Sequence, residues 1–138
     1  MVATWLVELY LSKLNDLEDL ASSAHCSPPP NEPANLEPNT REFFLEQLED
    51  IGDEFKSFLE TYNGHLHRPT TYHLMTTQGR TDEYLFFASL IGDYDKVIGH
   101  WITEKNWTKA LNVLSKEVSN YIYISISKRE RGRLLKLF

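Results

Sequence analysis

The sequence predicts an all-α protein: an α-solenoid of antiparallel helical hairpins, interrupted by a proline-rich insertion and closed by an irregular C-terminal tail. Three observations predict it. Apolar residues recur at steps of three and four over residues 2–20 and again within 40–117. Candidate helix caps at Thr81, Asp93 and Asn106 stand twelve and thirteen residues apart, the spacing of short helices joined by minimal turns. In a chain of 138 residues, 41% apolar content with 12% aromatics is enough to bury a core and too much for wholesale disorder.

The first helix, residues 2–20, carries Trp5, Leu6, Leu9, Tyr10, Leu14 and Leu17 as its apolar stripe, with Glu8, Lys13, Asp16 and Glu18 largely elsewhere. Residues 21–39 change character. Five of the six prolines fall there (Pro28, Pro29, Pro30, Pro33 and Pro38), so backbone donors are missing and a linker is expected. Asn39 with Glu42 forms a capping-box pattern opening a helix over 41–62. Its stripe of Phe44, Leu48, Ile51, Phe55, Phe58, Leu59 and Tyr62 would extend for about 33 Å. Asn63-Gly64 stops it. Pro69 suits the first turn of a helix over 69–78, ended by Gly79.

Thr81 then caps residues 82–91, apolar on nearly every face and expected to be buried on both sides. Gly92 stops that helix, Asp93 caps the next, which carries Tyr94, Val97, Ile98, Trp101 and Ile102, and Asn106 caps another with Trp107, Ala110, Leu111 and Leu114. Short connections force antiparallel neighbours, and iterating them gives a solenoid. On this pattern the aromatics Phe86, Phe87, Tyr94, Trp101 and Trp107 are core residues, with Trp107 facing inward and Lys109 outward. A tetratricopeptide-like adaptor binding peptide segments is the alternative α-hairpin reading, but its period is about 34 residues.

The net charge of −6 is unevenly placed. Residues 1–62 hold thirteen acids against three bases, and residues 63–138 seven against eleven, five of those bases in the last eleven residues. A solvated basic tail accounts for them without nucleic acid as a partner. Cys26 is the only cysteine, which excludes an intrachain disulfide and any multi-cysteine zinc module within the chain and suits a reducing compartment. The first apolar run is cut short by Glu8, too soon for a signal peptide or a membrane span, so membrane association is expected to be indirect.

No catalytic, cofactor or metal site is predicted. His65 and His67 sit at a helix boundary without an i, i+4 ligand partner, and His73 stands apart. The acids at 46–60 share a helix with an apolar face, so a solvated surface accounts for them. Cys26 lies in the proline linker away from any base.

The residues Gly92-Asp93-Tyr94, followed by Trp107 with Ala110 and Leu111, resemble the αα-repeat of clathrin-heavy-chain-like trafficking proteins. Trp5-Leu6-Val7-Glu8-Leu9-Tyr10-Leu11, Phe55-Lys56-Ser57-Phe58-Leu59, and Tyr72-His73-Leu74-Met75 running on to Phe86-Phe87-Ala88 follow in an order that resembles the solenoid of the deep-orange family of vacuolar protein sorting subunits. The resemblance covers roughly residues 2–20 and 40–117. It implies a non-catalytic scaffold in the class C tethering complexes, HOPS and CORVET. Such a scaffold binds the other protein subunits and sits in the cytoplasm, peripherally on late endosome and vacuole or lysosome membranes. Family members also carry a β-propeller and a zinc-binding RING. This chain has neither the length for the first nor the cysteines for the second, so a segment of a longer scaffold is expected.

Residues 118–138 depart from the family pattern. Tyr121, Ile122, Tyr123, Ile124 and Ile126 break the helical period, and their alternation suggests a strand without a sheet to join. The richness in Asn, Tyr, Ile and Lys after Val118 reads as translated intron sequence or a mis-assigned gene end.

Overall fold

The computed structural model describes residues 1–24 and 40–136. Its elements are α1 (Val2–Ser23), α2 (Thr40–Tyr62), a 3-10 turn (Asn63–His65), α3 (Arg68–Thr77), α4 (Thr81–Leu90), α5 (Tyr94–Thr103) and α6 (Trp107–Lys136). The described residues contain no strand. The chain divides into two units, Met1–Phe87 and Ala88–Phe138. Cys26, the five prolines of the insertion and the Asn39 cap lie outside the described residues.

In the first unit α1 is the central helix, and it is three residues longer than its stripe suggests. It packs on both α2 and α3, so it needs two apolar faces. Val7, Leu11, Leu14, Leu17 and Ala21 are buried along one. Along the other, Tyr10 meets α2, while the exposed Leu6 and Leu9 line a solvent-open groove with Ile51. Trp5, counted in the stripe from sequence, is exposed.

The contacts fix helix directions. Tyr10 meets Phe55 and Phe58, while Leu14 borders Leu45 and Leu48, so α2 runs antiparallel to α1. The His67 amide donates to Thr4 Oγ1 at 3.4 Å, and Asn15 Nδ2 donates to the Gln78 side chain at 2.9 Å and to its carbonyl at 3.2 Å. Both links span 63 residues, so α3 runs parallel to α1 in one register. An up, down, up stack of this kind is the repeating unit of a helical-hairpin solenoid. Tyr72 of α3 then packs on Tyr84 and Phe87 of α4, ring centroids 5.2 Å away in each case.

Three helices end in the same way. After α3 the Gly79 amide bonds to Thr76 O and the Arg80 amide to Met75 O, with Gly79 at φ 71°. After α4, Gly92 (φ 79°) and Asp93 repeat the pattern on Ser89 and Ala88, and after α5, Lys105 and Asn106 repeat it on Ile102 and Trp101. These are Schellman closures, which place one residue in the left-handed region. Glycine takes it twice. Lys105 takes it at φ 55°, where a Cβ costs about 1–2 kcal/mol. Lys105→Gly is therefore expected to stabilise the second unit by about 1 kcal/mol, read as a raised denaturation midpoint. A lowered midpoint would show that the lysine stem makes a compensating contact.

In the second unit α5 packs on α6. Val97 of α5 and Ala110 of α6 are buried, and the small Ala110 lets the helix backbones approach. The Asn106 cap is as read from sequence, its side chain accepting from the Lys109 amide at 3.2 Å. Thr81 is instead the first residue of its helix, and Arg80 accepts the first backbone bond. The expected irregular tail is also corrected: α6 continues through it to Lys136. Strand preference in Tyr and Ile expresses fit to neighbouring strands, and none is present among the described residues. Extending a helix already nucleated over 107–118 adds one backbone bond per residue.

Candidate interaction surface

The sequence motif Gly92, Asp93, Tyr94, Trp107, Ala110 and Leu111 separates into two roles. Gly92 closes α4, Asp93 is the residue before α5, Tyr94 begins α5 half-buried, and Ala110 is packed at 6% exposure. Trp107 and Leu111 face outward, 60% and 61% exposed. The expectation that Trp107 is buried is thus corrected. On a helix, positions 107 and 111 lie 40° apart while 107 and 110 lie 60° apart on the other side. α5 sits against the Ala110 side and leaves the indole free of it. Lys109, expected to be a bystander, has its ammonium 4.3 Å from the Trp101 ring centroid, a cation–π contact. In dilute solution Trp107→Ala is expected to change stability by less than about 1 kcal/mol, whereas Ala110→Leu, which overfills the α5–α6 contact, costs about 1–3 kcal/mol. Thermal melts of the two variants check this, and the reverse order would mean that the opposite face of α6 is inward.

Of the other aromatics, Phe87 is fully buried, while Phe86, Tyr94 and Trp101 are half-buried. Among the acids of 46–60, Glu54 has a structural partner: the Tyr10 hydroxyl donates to its Oε1 at 2.7 Å. That bond, with burial and carboxylate repulsion adding to it, raises the Tyr10 pKa above the ordinary tyrosine value. Because the folded-state value is the higher one, the associated stability is present below the unfolded value of about 10 and is lost as pH rises through the folded value. Tyr10→Phe should therefore be less stable than the parent at neutral pH, with the gap closing above about pH 10. Urea titrations at several pH values test it, and a constant gap would sink the assignment.

Arg80 is the charged centre of the first unit. Its guanidinium donates through Nε and Nη2 to the two carboxylate oxygens of Glu83, at 3.1 and 2.7 Å, and Nη1 lies 2.8 Å from Glu18 Oε1. Burial alone would lower its pKa, but the bonds to Glu83 and Glu18 outweigh it and hold it above the usual value. Arg80 and Glu83 line a solvent-open groove of about 370 Å³ together with Leu14, Leu45, Leu48, Glu49 and Asp53. Nothing in the sequence pattern flags Glu18 as Arg80's partner.

The histidines are spread over local roles: His67 Nδ1 is 2.7 Å from Thr70 Oγ1, His65 rests by Tyr62, and His73 is exposed. Among the described residues, no three His, Cys, Asp or Glu side chains form a group that could hold a metal ion. No helix among them is long and apolar enough to cross a membrane.

Residues 1–93 match the family model described as VPS18, alpha-solenoid domain, first half. The chain belongs to this VPS18 solenoid family. Its relatives include the zebrafish "Vacuolar protein sorting-associated protein 18 homolog", 30% identical over 134 residues and matching 92% of this chain and 11% of its own length. The fission yeast "Vacuolar membrane protein pep3" is 28% identical over 119 residues, covering 86% of this chain and 12% of itself. The Arabidopsis thaliana "Vacuolar sorting protein 18" is 30% identical over 119 residues, covering 84% and 10%. The chain thus spans about a tenth of the length of these relatives. The family's solenoid agrees with the α1–α2–α3 stack, and the matched residues include the Tyr10, Phe55 and Arg80 contacts.

Proposed function

We propose that this chain is a non-catalytic scaffold segment of a membrane-tethering complex of the HOPS or CORVET type, acting in transport from endosomes to the vacuole or lysosome. The observation that carries the reading is membership of the VPS18 solenoid family over residues 1–93, alongside relatives named for vacuolar sorting. The side chains support it. Arg80, Glu18, Glu83, Tyr10 and Glu54 are engaged with one another across helices, as structural cross-links are. Open apolar and acidic helix faces supply surface for other protein subunits. The segment would work in the cytoplasm, held peripherally on late endosome and vacuole membranes through the complex.

Affinity purification of the tagged full-length product of the locus tests this. Co-purification of the other class C subunits is the expected result. A folded, well-expressed product that brings down none of them would overturn the proposal.

A further inference from the structure

We draw no further inference here: the strongest candidate, the solvent-open groove of the first unit lined by Leu14, Leu45, Leu48, Asp53 and Arg80, is an unpartnered face, and nothing in the structure shows what covers it.

Discussion

Phe55→Ala is expected to lower the stability of the first unit by about 3–5 kcal/mol, the cost of truncating a buried aromatic and leaving a cavity. Phe55 is 0% exposed, stacked 5.1 Å from Tyr10 of α1 and 6.5 Å from Phe58 on its own helix. The ring therefore carries the α1–α2 contact on which the rest of the stack is laid. A loss of this size is a large share of the 5–15 kcal/mol typical of a whole domain, so the variant should melt far below the parent. Phe43, on the same helix but half-exposed, is the matched control, with an alanine cost under about 1 kcal/mol. Similar melting temperatures for the two variants would mean that α2 packs on α1 through another face.

Arg80→Met comes next, with an expected cost of about 3 kcal/mol. The methionine replaces the stem but leaves Glu83, 8% exposed, as a buried carboxylate without its cation, and stranding one partner of such a pair is what costs. The Glu18 arm is half in solvent, where an ion pair is worth less than about 1 kcal/mol, so Glu18→Gln should be mild. A double-mutant cycle separates charge from packing: Glu83→Gln in the Arg80→Met background should recover part of the loss. Urea denaturation reads all four proteins. No recovery in the double variant would assign the loss to the packing of the arginine stem.

The elements were legible in the sequence where local chemistry dictates them. Gly79 and Gly92 mark left-handed closures because they lack a Cβ, and Asn106 caps its helix because its side chain reaches the amide three residues on. Lys105 makes the same closure and gives no sign of it, since lysine is not a residue chosen for that conformation. The phase of α1 was half legible. A helix packed on two neighbours has apolar residues around most of its circumference, and periodicity alone does not rank Val7 and Leu11 above Trp5 and Leu6.

Nonlocal pairing was not legible. Thr4 with His67, Asn15 with Gln78 and Glu18 with Arg80 lie more than sixty residues apart, and no local pattern joins them. The exposure of Trp107 is not legible either, because an apolar stripe shows that a face is fit for packing without showing which neighbour takes it. The tail is helical despite its alternating Tyr and Ile, because it continues the helix that precedes it. The family resemblance, by contrast, rests on short ordered motifs that hold buried contact residues (Val7, Leu11, Phe55, Leu59, Phe87 and Ala110) side by side with exposed ones (Trp5, Trp107 and Leu111).

The proposed scaffold role is tested most directly by a replacement in the fission yeast relative. The segment of pep3 that matches this chain is exchanged for residues 1–117, and the tagged chimaera is purified from cells. The expected result is a stable protein that still co-purifies with the other tethering subunits and sustains vacuolar sorting. A chimaera that accumulates to normal levels, retains its helical content and binds none of those subunits would contradict it.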